Sequence, residues 1–341
     1  MENKNVKGRR NKRRLLLLLI SLLFTMVLFG SSTYAWFTAN QTVQVSRLTV
    51  NVAAQNGIQI SADGTNWKSI IQTTDITGAK AGAYGDAVNQ IPAQLEPVST
   101  VGNIDENGMM EMYYGTVGTN SGGEYILTAT KSTELNGTTG KFIAFDLFFK
   151  VDAATDIFLT TNSGVRSIGD ADKGIKNASR IGFVVLGNTA SGSSVETIQG
   201  LNNGTSSHKY IWEPNYDVHT AAAVSHARDT YGVTTTQTDG DLLEYSGVKA
   251  PIASTDNVLV RQSNATDYSS TYSDFFEDVE IDYSTIAGFS EQQQIFSLQT
   301  GVTKVRIYMW IEGQDVDCEN AASGGDIAYD LQITTDNGEG D

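Results

Sequence analysis

The chain has one cysteine, three histidines, four prolines and little charge. Asp, Glu, Lys and Arg make up 18% of its 341 residues, below the ~25% of an average globular protein. The lone Cys318 excludes an internal disulfide and any Cys-based zinc site, and leaves the thiol either buried or intermolecular. Cations are scarce too: 23 Lys and Arg stand against 39 Asp and Glu, a net charge of −16. Phosphate binding needs clustered cations, so nucleic acid is excluded as a partner. No HExxH, no GxSxG and no Gly-rich phosphate loop with its Lys occurs, so no enzyme is expected. His208, His219 and His226 lie close in sequence, but their spacing favours loop or surface roles over a metal site. Hydrophobic residues, at 40%, are enough for a core.

The cations that exist are unevenly placed. Residues 1–35 hold Lys4, Lys7, Arg9, Arg10, Lys12, Arg13 and Arg14 but one acid, Glu2, so the other 306 residues carry −22. This basic stretch precedes an apolar run from Leu15 to Phe29, broken only by Ser21 and Thr25. Small residues at Thr33 and Ala35 follow, the pattern read by signal peptidase, with Trp36 as the first mature residue. The run is 15 residues long, and a membrane span needs about 20. A cleaved secretory leader over 1–35 is therefore expected rather than a retained anchor. Export, contact with signal peptidase and a membrane link only through this leader follow.

Beyond the leader the pattern has period two. Leu48, Val50 and Val52 alternate with Thr49 and Asn51, and Ile58 and Ile60 precede Asp63-Gly64, a hairpin signal joining 57–61 to 66–71. Phe145, Leu147, Phe149 and Val151 share one strand face, with Ala144, Asp146, Phe148 and Lys150 on the other, as in a sheet covered on one side. Strands are also read at 157–160, 181–186, 305–311 and 327–333. The expected fold class is all-β: an antiparallel β-sandwich or jelly roll with long loop insertions and few short helices. The polar stretches 74–140, 187–209 and 228–270 read as the insertions, 218–228 or 273–292 as places for helices, and 337–341 as a polar tail. One sandwich over 46–336 is the expected domain.

Val43 and Val45 share one parity, and Leu48, Val50 and Val52 the opposite one. The face must switch near Ser46-Arg47, through a bulge or between two strands. Residues 36–45, led by Trp36 and Phe37, are thus a candidate N-terminal arm. The stretch Gly30-Ser31-Ser32-Thr33-Tyr34-Ala35-Trp36-Phe37-Thr38 resembles the signature of SipW-type signal peptides, found on the TasA/camelysin family of exported Gram-positive biofilm fibre proteins. Ser-Ser replaces the usual Gly-Gly or Gly-x, and Trp36 the commoner Tyr or Phe. The segments 305–318, 142–146 and 212–215 look similar to related surface proteins of Firmicutes with no assigned activity. The resemblance implies a jelly roll and polymerisation by a donor strand, which here would carry Trp36, Phe37, Val43 and Val45. An even balance between polymer and ordinary first strand follows from the residues alone.

Two ligand sites remain as expectations. Asp315, Asp317 and Glu319 follow a strand directly and could offer hard oxygens to Ca²⁺, with no other cofactor expected. Asp170 with Asp172, Asp239 with Asp241 and Glu244, and the run Asp274, Glu277, Asp278, Glu280 and Asp282 are weaker sets of the same kind. Trp67, Trp212 and Trp310 could form a stacking platform for sugars. The expected function is an exported structural protein of the cell surface or biofilm matrix, with its own copies as partner. The alternative is a monomeric secreted adhesin or glycan-binding module.

Overall fold

The structure is a computed structural model that describes residues 42–53, 57–80, 82–134, 137–169, 173–231, 245–260, 268–281, 293–319 and 322–335. In chain order its strands are β1 (Val43–Ala53), β2 (Gln59–Ser61), β3 (Ile70–Ile71), β4 (Asn89–Gln90), β5 (Gln94–Leu95), β6 (Val98–Ser99), β7 (Met112–Thr119), β8 (Tyr125–Ser132), β9 (Ile143–Val151), β10 (Thr155–Leu159), β11 (Gly164–Ser167), β12 (Ser179–Thr189), β13 (His208–Trp212), β14 (Ser246–Val248), β15 (Phe276–Asp278), β16 (Gln293–Leu298), β17 (Gly301–Ile311) and β18 (Asp326–Thr334). The helices are short: α1 (Thr73–Ala79), α2 (Val195–Gln199), α3 (Ala221–Tyr231) and α4 (Tyr268–Thr271). None among the described residues is long and apolar enough to cross a membrane, and the leader lies outside them.

Period-two sequences make period-two strands, and here two sheets share one core. The first sheet runs β16-β10-β18-β1-β3, with β11 on β18 and β5 on β1; the second runs β13-β12-β17-β9-β2, with β4 on β9. The main core joins Val43, Val50, Leu331 and Ile333 from the first to Phe145, Leu147, Val305 and Ile307 from the second. The all-β sandwich is thus present. It is not wholly antiparallel: β1, the first described strand, lies parallel to β18, the last.

The parity switch is a β-bulge. Register passes from Val45 opposite Ile327 straight to Arg47 opposite Ala328, leaving Ser46 unmatched. An extra residue turns both halves toward one core, because facing alternates with every residue. Val43–Val45 therefore begin β1 and are not the end of a separate arm. Val43 is fully buried and sits opposite Leu95.

Three other expectations change. The Asp63-Gly64 hairpin is one bridge, Ile60 with Lys68, after which Ile70 and Ile71 cross to the first sheet. Its loop is wider than two residues because the Asp63 carboxylate accepts from the backbone N–H of Thr65 and Asn66, at 2.8 and 2.7 Å. The 273–292 region holds β15 rather than a helix in its described part, since Phe276 pairs with Val248 in a small sheet. The 218–228 region does carry helix α3. Finally, β9 and β17 are covered on both faces. Residues 74–140 are no polar loop: Val98, Met110 and Met112 cover Tyr308 and Trp310.

That covering buries charge. Asp146 and Arg306 are cross-strand partners on the covered face. Arg306 Nε donates to Asp146 Oδ1 at 2.7 Å and Lys304 Nζ lies 3.6 Å from Asp146 Oδ2. Arg306 Nη1 lies 3.4 Å from Glu134 Oε2, and Tyr84 donates to Asp146 at 3.0 Å. Two cations face two carboxylates, so the network balances. Burial would raise the Asp146 carboxyl, but Arg306 and Lys304 hold it below the ordinary Asp range. Asp146→Ala should destabilise the fold by about 3–5 kcal/mol in urea unfolding, because it strands two buried cations. Adding Arg306→Met should recover part of that loss.

Candidate functional site

The second buried polar cluster does not balance. It forms where β17 runs out into the turn 312–319, against the start of β12 and the exit of β13. Arg180, on β12 opposite Trp310, has no exposed side-chain surface. Its Nη2 donates to Asp315 Oδ2 and lies 2.9 Å from Glu213 Oε1. Its Nη1 donates to the carbonyls of Asn177 and Ser179, both at 3.2 Å. The ring of Tyr245 lies 5.2 Å from the guanidinium carbon.

The turn itself is tied by its own acids. Asp317 N–H donates to Asp315 Oδ1 at 2.7 Å and Gln314 N–H to Glu312 Oε1 at 3.1 Å. Trp310 Nε1 donates to Glu312 Oε2 at 3.1 Å. His219 Nδ1 lies 2.7 Å from Asp317 Oδ2, and Thr220 Oγ1 donates to Glu319 Oε1 at 3.3 Å. Glu213, Glu312, Asp315, Asp317 and Glu319 are all buried. Five carboxylates thus meet one Arg and one His.

Without water, like charges at this spacing cannot all persist. Burial lifts Glu213 well above the ordinary Glu range, with Arg180 opposing and Asp315 and Asp317 adding. Burial likewise pushes Glu312 up to about 7, against hydrogen bonds from Ser99 and Trp310. Asp317 rises to about 6 by burial, held back by His219. Glu319 is raised by burial as well. For Arg180, burial would lower the pKa, but Glu213, Tyr245 and Asp315 outweigh it and keep the guanidinium charged.

The expected sites fare as follows. Asp315, Asp317 and Glu319 do come together, but their oxygens engage Arg180, His219 and Thr220 rather than one shared centre. Among the described residues no group of three His, Cys, Asp or Glu could hold a metal ion. In this structure the trio belongs to an ion-pair and hydrogen-bond network. Asp170, Asp172, Asp239, Asp241, Glu244 and Asp282 lie outside the described residues.

The stacking platform is overturned. Trp212 and Trp310 are fully buried, in different clusters. Trp310 does lie on the outer face of its sheet, but that face is covered, and a Cβ on Gly182 would stand 3.2 Å from its ring. Trp67 packs partly buried against the main core, with Lys150 Nζ 5.6 Å from its ring centre. Thr33, Ala35, Trp36 and Phe37 lie outside the described residues. His208 is exposed and lines an open cleft of about 540 Å³ with Val185, Gln294, Ile295, Phe296 and Ser297. Arg180, Glu213 and His219 were not joined to the acidic trio by any sequence spacing; a lone Arg heading an apolar strand was the available clue.

Comparison with protein families, with characterised proteins and with solved structures returns no match.

Cys318 is buried, and burial with Asp315, Glu312 and Asp317 pushes its thiol up. It should resist iodoacetamide at pH 8 in the native state and react once unfolded; rapid native labelling contradicts its place in the core.

The raised carboxyls set a direction for stability. Folded Glu312 keeps its proton up to about 7, whereas in the unfolded chain it titrates in the ordinary Glu range. Its contribution is complete below that range and fades as pH rises through about 7. At ~1.4 kcal/mol per pKa unit, this removes roughly 3 kcal/mol between pH 4 and pH 8. Asp146, being lowered, acts oppositely: its stabilisation is lost on acidification. Urea unfolding should therefore show a maximum on the acid side of neutral, and Glu312→Gln should flatten the alkaline limb.

Proposed function

We propose that this chain is an exported structural protein of the cell surface or matrix that assembles with its own copies through its N-terminal segment. The observation that carries this reading is the place of β1. The first described strand lies inside its sheet, parallel to β18 on one side and bordered by β3 and β5 on the other. Its continuation, β2, belongs to the opposite sheet. A strand so placed fills a central slot at the start of the described chain. A second copy could supply the same strand with the same backbone pairing. The basic, then apolar, leader-like start and the resemblance of residues 30–38 to SipW-type signatures support export.

Because β1 is continuous through the bulge, the exchangeable unit is the whole strand to Ala53, not residues 36–45. The donor extends from Trp36, and Val43 and Val45 with Leu48 and Val50 provide its apolar face. Assembly must also overcome the −22 carried by residues 36–341. Screening shortens that repulsion from about 30 Å at 0.01 M salt to about 8 Å at 0.15 M.

Electron microscopy of a chain beginning at Trp36 should show filaments, formed faster at 0.15 M than at 0.01 M salt. Removing 36–53 should abolish them. Filaments from the truncated chain, or assembly indifferent to salt, would sink the proposal.

A further inference from the structure

The segment Glu213–Thr220 leads from β13 to α3 between two apolar anchors, Trp212 in the main core and Ala223 in a second one. Between them Val218 is 38% exposed, and the ties that join the segment to Arg180 and the turn 312–319 end on titratable groups. Glu213 meets Arg180; His219 meets Asp317; the Thr220 N–H lies 3.4 Å from Asp317 Oδ1 and its hydroxyl donates to Glu319. The Asn215 amide is tied differently, donating to the carbonyls of Val165 and Lys176 at 3.1 and 3.2 Å.

The titratable groups gathered around Arg180 and this segment come from several elements. They are Arg180 from β12, Tyr245 before β14, Tyr329 from β18, and Glu312, Asp315, Asp317, Cys318 and Glu319 from the turn after β17. The carboxylates outnumber the cations even with His219 charged. The cluster can stay closed only with protons on its surplus acids. The buried Asn177 amide belongs to the cluster too: its Nδ2 donates to Asp317 Oδ1 at 3.5 Å, and its Oδ1 has no hydrogen-bond partner among the described residues.

We propose that this cluster is a proton-operated latch, which clamps Glu213–Thr220 onto the turn 312–319 while its surplus carboxyls are protonated and releases that segment, with the first turn of α3, as they ionise. The main core is untouched, because its own ionic network on β9 and β17 balances without protons. The direction agrees with the burial-raised Glu312 and Asp317: the latch is closed on the acid side of about 6 to 7 and opens above it.

Hydrogen exchange of the full chain at pH 5.5, 7 and 8.5, corrected for intrinsic rates, tests this. Peptides within 213–225 should lose protection by at least about tenfold more than those of β9 and β17, the equivalent of one pKa unit beyond the shared fall in global stability. The double variant Glu312→Gln with Asp317→Asn should hold 213–225 protected at pH 8.5. Protection independent of pH in the wild type overturns the latch, as does equal loss in β9 and β17, which is global unfolding. A double variant that follows the wild-type profile overturns it too. Restored protection at pH 8.5 on adding calcium chloride would make the cluster a metal site and not a latch. If the double variant fails to fold, the wild-type contrast between 213–225 and β9 decides alone.

Discussion

Strand β17 has no solvent side. Every residue from Gly301 to Ile311 is buried, because the first sheet covers one face and residues of the 74–140 stretch cover the other. Sheets with one wet face can place charges on alternate positions at no cost. A strand buried on both faces cannot, so Lys304 and Arg306 need partners inside the protein, and so does the polar turn that follows. Both buried networks exist because of this one constraint.

The two networks answer it differently. On the covered face, Asp146 and Glu134 match Lys304 and Arg306, and no proton is needed for balance. At the end of β17, five carboxylates gather around Arg180 and His219. A buried pair matched in charge is mainly a structural commitment, and it punishes loss of either partner. A buried surplus of acid is a commitment only over part of the pH scale. The same strand thus carries a fixed anchor in its middle and a proton-sensitive one at its end.

The bulge at Ser46 shows what alternation can and cannot tell. The parity conflict between Val43, Val45 and Leu48, Val50 was legible, because facing is a local property of backbone pleat. Whether it marked a bulge or a break was not, since that depends on β18 continuing past it in register. Trp310 teaches the same lesson for faces. It alternates with Met309 and Ile311, which places it on the outer face of its sheet, yet an outer face is open only if nothing covers it. Val98, Met110 and Met112 do, from a stretch whose glycines and prolines look like loop. The acidic trio was found as a group, but its partners Arg180, Glu213 and His219 come from other elements, so the local pattern suggested an ion where a guanidinium and an imidazole stand.

By itself, then, the sequence determined the period-two strands, the all-β class, the leader-like start and the large acid surplus, all of which follow from near neighbours along the chain or from composition. The tertiary structure alone decided which strands are central, which faces are covered and which charges are matched. Those outcomes depend on segments far apart in sequence meeting in space: Arg180 and Asp315 are 135 positions apart, and no local spacing could pair them. Part of the acid surplus that composition showed as one number is folded into one dry corner, where the free energy of burying ionised carboxylates favours their protonated form.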